Sequence, residues 1–98
     1  MRTRDTRFDD YDITKIEEER LRLICRSADR STFLALYRAA YRANPQIARE
    51  ITFSLAFGLS YERMDQKAPV PISQNDFYGY RRLTLALFRD IICEEAKV

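Results

Sequence analysis

The sequence predicts an all-α fold: a four-helix, bundle-like single domain preceded by a loose, charged N-terminal segment. Three observations lead there. Only two of the 98 residues are glycine, and proline is confined to positions 45, 69 and 71, so the chain is poor in turn formers. Apolar residues recur three and four apart over long stretches, the spacing of one helix face. Helix-capping residues stand where those stretches begin. At 46% hydrophobic content, with six Tyr and six Phe, the chain has enough apolar material for a core. One domain is the expectation for this length.

Residues 1–11 are charged and unpatterned and are expected to be flexible, leaving residues 12–98 as the helical domain. Thr14 and Glu17 form a capping-box pair that opens a first helix to Arg26, with Leu21, Ile24, Cys25 and Ala28 inward and Ile13, Ile16 and Leu23 beside them. Glu18, Arg22 and Arg26 follow four apart on its wet face. Asp29 and Ser31 mark a turn, and a second helix is predicted over 32–43 with Phe33, Leu36, Tyr37 and Ala40 as its apolar stripe. Asn44-Pro45 starts a third helix, predicted over 45–63 and apolar nearly all round, which makes it the expected central helix. Gly58 in its middle is expected to admit a close neighbour. Pro69 and Pro71 exclude helix from residues 67–73. Ser73 and Asp76 then open the last helix, with Tyr80, Leu83, Leu87 and Ile91 as its inward row and Phe88 and Ile92 alongside.

Composition also limits function. The chain has no histidine, which removes Ser-His-Asp and Cys-His catalysis and imidazole metal ligation. Cys25 and Cys93 are far apart and are expected to be buried free thiols. No glycine-rich phosphate loop is present. The acidic runs Glu17-Glu18-Glu19, Asp9-Asp10 and Glu94-Glu95 read as solvated faces, since consecutive acids on a helix point in different directions. No enzyme, cofactor or metal is expected. No stretch reaches the roughly 18–20 apolar residues that a membrane span needs, and residues 1–11 contain no apolar signal core, so a cytoplasmic protein without a membrane partner is expected.

What remains is a binding surface. Basic residues are segregated: residues 30–49 hold Arg30, Arg38, Arg42 and Arg49 with no acid, and residues 67–89 hold Lys67, Arg81, Arg82 and Arg89 against Asp76 alone. Arg38 and Arg42 are one helical turn apart, and Arg82 and Arg89 two. Were the second and last helices neighbours, the four would form one basic surface for an acidic protein face or, secondarily, for nucleic acid. The alternative is solvated helix faces. Tyr78, between Phe77 and Tyr80, is the expected exposed aromatic anchor, unless all three roof the core. Pro69 and Pro71 make a rigid extended loop, read either as part of the contact or as a connector. A helix-turn-helix regulator is a second reading, with Gln46, Arg49 and Glu50 facing bases, but Phe53, Leu55 and Phe57 crowd that helix and a net charge of +2 is weak for a phosphate binder.

Two resemblances accompany these readings. The segment Phe33-Leu-Ala-Leu-Tyr-Arg-Ala-Ala-Tyr-Arg42 resembles the opening of LYR-motif proteins, helical adaptors of mitochondrial iron–sulfur assembly and respiratory complexes, with Leu36, Tyr37 and Arg38 as the motif. That resemblance implies an adaptor. In length, helical content and lack of catalytic chemistry, the whole chain resembles small early proteins of bacteriophages that disable host enzymes, such as the phage anti-RecBCD proteins. It implies a non-catalytic helical module that inhibits or modulates a larger host protein or nucleoprotein enzyme in the bacterial cytoplasm.

Overall fold

A computed structural model describes residues 7–27 and 29–96. Five α-helices form: α1 (Lys15–Arg26), α2 (Arg30–Ala43), α3 (Ala48–Phe57), α4 (Tyr61–Lys67) and α5 (Gln74–Ala96). Short 3-10 turns cover Phe8–Tyr11 and Pro45–Ile47, and no strand occurs among the described residues. The radius of gyration, 12.7 Å, matches the value of about 13 Å for a compact domain of this length.

The starts of the helices follow the capping residues. The Glu17 amide donates to Thr14 Oγ1 (3.2 Å), the Thr32 amide to Asp29 Oδ1 (2.8 Å) and the Asp76 amide to Ser73 Oγ (3.3 Å). The Thr32 amide bond also holds the Asp29 carboxyl below its ordinary range. Asn44 accepts from the Gln46 amide (3.0 Å), with Pro45 beginning the 3-10 turn.

The expected third helix is divided. Gly58 ends α3 in the left-handed region (φ 67°), and the Leu59 amide bonds back to Ser54 O (3.0 Å). Ser60 then caps α4 by accepting from the Arg63 amide (3.2 Å). A glycine stop followed two residues later by a serine start outweighs the continuous apolar pattern. Gly58 also meets the expectation of a close neighbour, because a Cβ there would collide with the Arg26 guanidinium.

The centre of the molecule is the α2–α5 seam, not α3. α2 packs most extensively on α5 and then on α3, while α1 lies mainly against α3. The buried face of α2 is Ala35, Leu36, Ala39 and Ala40; the small residues allow close approach, and Tyr37, expected inside, points out. On α5 Phe88 and Ile91 are buried as expected, but the rest of the buried face is Phe77, Thr84, Leu85 and Ala86, and Tyr80, Leu83 and Leu87 are only half-buried. The buried hydroxyls of Thr52 and Thr84 donate back to Ala48 O and Tyr80 O. Four further differences concern single residues. Ile16 and Leu23 lie on the exposed side of α1, and Phe57 is exposed at the end of α3. Cys25 is buried, but Cys93 is exposed.

Of the segment expected to be flexible, residues 1–6 lie outside the described residues. In the remainder, Phe8 and Tyr11 pack against the core, and the Ile13 amide closes the turn on Phe8 O (3.0 Å). Ala28, placed on the inward face of the first helix, is also outside the described residues.

Candidate partner-binding surface

α2 is amphipathic in an unusual sense, because its outer face carries apolar groups as well as charge. Arg30, Leu34, Tyr37, Arg38, Tyr41 and Arg42 follow one another at spacings of one, three or four residues and all are exposed. They therefore share the side of the helix opposite Ala35, Leu36, Ala39 and Ala40. Leu34 is 53% exposed, Tyr37 41% and Tyr41 54%. The two tyrosine rings lie 6.4 Å apart, so they shelter one another's faces and present one continuous aromatic ridge. No acid occurs in α2, and Arg38 and Arg42 flank the ridge with open charge. Of the three residues resembling the LYR motif, Leu36 is core, and Tyr37 and Arg38 belong to this outer face.

The other expected contact residues are placed differently. Arg89 is turned inward as an intramolecular clamp: its Nη1 donates to Tyr11 O (2.9 Å), Asp12 O (3.3 Å) and Glu17 Oε1 (3.1 Å). Its charge, expected to be unneutralised, is met by Glu17 and Asp90. Burial disfavours the cation, but these two carboxylates outweigh it and leave the guanidinium pKa raised. Arg82 is half-buried on α5. The four arginines thus do not make one open surface; Arg38 and Arg42 remain.

The aromatic cluster follows the alternative reading and roofs the core. Phe77 is fully buried, with Tyr61 and Tyr78 rings at 5.6 and 5.7 Å. Tyr78 is half-buried and its hydroxyl accepts from the Tyr61 amide (3.1 Å), so it is no free anchor. The proline loop is pegged down between its two prolines. Val70 is buried, its amide donates to Asp65 Oδ1 (2.9 Å), and the Tyr61 hydroxyl donates to Ile72 O (2.6 Å). Pro69 and Pro71 stay exposed, and Pro69 rims a groove of about 660 Å³ lined by Phe53, Met64, Arg49 and Lys67.

α3 is ill suited to reading bases. Its wet side offers Arg49, Phe53 and Phe57, while Ala48, Ile51, Thr52, Ser54 and Leu55 are buried. Sequence reasoning also missed a second feature, a cleft of about 220 Å³ to which Arg22, Arg26 and Arg81 all contribute. Arg22 and Arg26 stand on α1 and Arg81 on α5, far apart in the chain, so no local pattern of the sequence signals their meeting.

Among the described residues, no group of three or more His, Cys, Asp or Glu side chains is placed to hold a metal ion, and no helix is long and apolar enough to cross a membrane. Comparison with protein-family models, curated proteins and solved structures finds no match.

Proposed function

We propose that this chain is a non-catalytic helical binding module that modulates or inhibits a larger protein by docking the outer face of α2 against an acidic surface with an apolar pocket. The observation that carries this reading is the ridge of Leu34, Tyr37 and Tyr41 flanked by Arg38 and Arg42. Exposed leucine and tyrosine cost free energy in water and become favourable only when covered. Tyrosine and arginine are the residue types that dominate interface energetics, because they bring large area and directed hydrogen bonds with few rotatable bonds. The absence of any acid from residues 30–49 leaves this face positively charged, which favours an acidic partner. The chain's likeness in length and lack of catalytic chemistry to small phage proteins favours inhibition of a host enzyme, with the bacterial cytoplasm as the proposed setting.

The test is capture from a bacterial lysate with the wild type and with the triple variant Tyr37→Ala, Arg38→Glu, Tyr41→Ala as baits. These side chains are exposed, so thermal stability should change little. A protein retained by the wild type through about 0.5 M salt, where surface charge attraction is screened to a few Å, and lost from the variant supports the reading. A partner held equally by both moves the contact off α2. Retention of duplex DNA that collapses with salt indicates instead the DNA-binding regulator, since phosphate contacts are released by counterions.

A further inference from the structure

The arginine cleft lies where α1, the α3–α4 junction and α5 meet, away from the ridge on α2. Arg22, Arg26 and Arg81 line it together with Ser54, Ser60 and Tyr78. We propose that it binds a phosphate monoester dianion, and this proposal does not depend on the docking role of α2.

Arg81 is the centre of the site. It is half-buried; its Nη1 donates to Ser54 Oγ (3.1 Å), and its guanidinium carbon stands 4.4 Å from the centroid of the Tyr78 ring. Both supports are themselves fixed. The Ser54 hydroxyl donates to Leu59 O (2.6 Å), and the Tyr78 hydroxyl accepts from the Tyr61 amide. The guanidinium is therefore held in one orientation, with N–H donors left over for a ligand. Neither support carries a negative charge, and among the described residues no carboxylate forms an ion pair with Arg81; Glu18, which attracts it from further off, is paired with Arg22. A half-buried cation without an anion is unfavourable. Burial, and then the charge of Arg22, pulls its pKa down to about 10.

The charge count selects the ligand. Three guanidinium groups and no carboxylate line the cleft, and Glu18, outside the lining, pairs with Arg22 (3.1 Å), so positive charge is left in excess there. A phosphate monoester carries about two negative charges at neutral pH and three strong acceptor oxygens, whereas a phosphodiester carries one charge. Bidentate guanidinium–phosphate pairing is the strongest form such contacts take. Volume points the same way. A cleft of about 220 Å³ is smaller than the roughly 300–1,000 Å³ typical of organic ligands, so it fits a phosphoryl group and leaves the rest of the ligand outside. The Arg26 guanidinium lies against Gly58, whose missing side chain lets it stay at the rim of the cleft. The phosphoryl group comes either from a free phosphate compound or from a phosphorylated side chain of a partner, and the chemistry of recognition is the same.

The experiment is an NMR titration of the full chain with inorganic phosphate, O-phospho-L-serine and dimethyl phosphate at matched ionic strength. Saturable shifts at the amides of Gly58 and Ser60 and at Arg81 Nε are expected with the first two ligands and not with dimethyl phosphate. Binding should weaken as the pH falls below about 6, where the dianion is protonated. Removing one charged donor by Arg26→Gln or Arg81→Gln should weaken binding about tenfold or more. Arg26 is exposed, so its variant keeps the fold even if the Arg81 variant does not. Tighter binding of phosphoserine than of inorganic phosphate identifies a phosphorylated side chain as the source; equal or weaker binding identifies a free phosphate compound. Shifts that do not saturate, an equal response to dimethyl phosphate, or unchanged affinity in Arg26→Gln overturns the proposal.

Discussion

At Gly58 two constraints meet at one residue. Its φ of 67° lies where a Cβ crowds the following carbonyl, and the space a Cβ would fill is occupied by Arg26. Gly58→Ala should cost about 1–2 kcal/mol from the left-handed backbone alone, read by chemical denaturation, and an unchanged midpoint would contradict this conformation. The cysteines divide as sharply. Burial pushes the Cys25 thiol up to about 12 from an ordinary value of 9.0, while Cys93 is exposed. A thiol reagent at pH 8 should modify Cys93 in the folded protein and reach Cys25 only on unfolding. The sign of the pH effect follows from the raised value. Below pH 9 the Cys25 thiol is neutral in both states. Between about 9 and 12 the unfolded chain gives up that proton and the folded one keeps it, so stability falls as pH rises. Cys25→Ala should flatten that slope by up to about 1.4 kcal/mol per pH unit.

For the elements, which face is buried decides what each substitution does. The α2–α5 seam depends on alanines at 35, 39 and 40, each at most 2% exposed. Ala39→Leu adds volume where none is available and should cost about 1–3 kcal/mol. α3 gives a paired contrast within one helix. Leu55→Ala should cost roughly 2–5 kcal/mol, because Leu55 is buried. Phe57→Ala, at 64% exposure, should stay within about half a kcal/mol in the same urea titration. Comparable losses at both positions would mean that α3 is turned about its axis. The caps of α1, α2 and α5 were legible because Thr14, Asp29 and Ser73 act on amides three residues away, which is local chemistry. Gly58 and Ser60 also carry the signal for the split of the third helix, but the apolar pattern runs on across them and masks it.

At the scale of the whole molecule, Arg89 ties the C-terminal helix to the first turns of the chain across 78 positions of sequence. Arg89→Ala should cost about 1–2 kcal/mol, since charged hydrogen bonds are lost, and should raise amide exchange at Tyr11 and Asp12 before that of the core. By contrast, Arg38→Glu with Arg42→Glu should leave the melting temperature within a few degrees of the wild type, because both side chains are exposed. Equal damage from the two experiments would mean that α2 is covered, not open. The difference between the two pairs of arginines is a matter of what else lies nearby. Both pairs sit at helical spacing in the sequence, yet Arg89 meets the carbonyls of Tyr11 and Asp12 and the Glu17 carboxylate, while Arg38 and Arg42 are exposed.

The sequence by itself determined the helical class, the principal helix starts and the break at Pro69 and Pro71, because periodicity, capping and proline geometry act over a few residues. It also showed that basic charge is concentrated in residues 30–49 without an acid. Only the tertiary structure decided which face of each helix goes inside. On α2, the expected stripe is Phe33, Leu36, Tyr37 and Ala40, and the buried one is Ala35, Leu36, Ala39 and Ala40. They differ by a rotation about the helix axis, and close packing against α5 favours the smaller residues. The same rotation placed Tyr37 and Tyr41 in solvent. Packing also drew Arg22, Arg26 and Arg81 into one cleft, since charges on two separate helices become neighbours only when those helices take their places around a shared core.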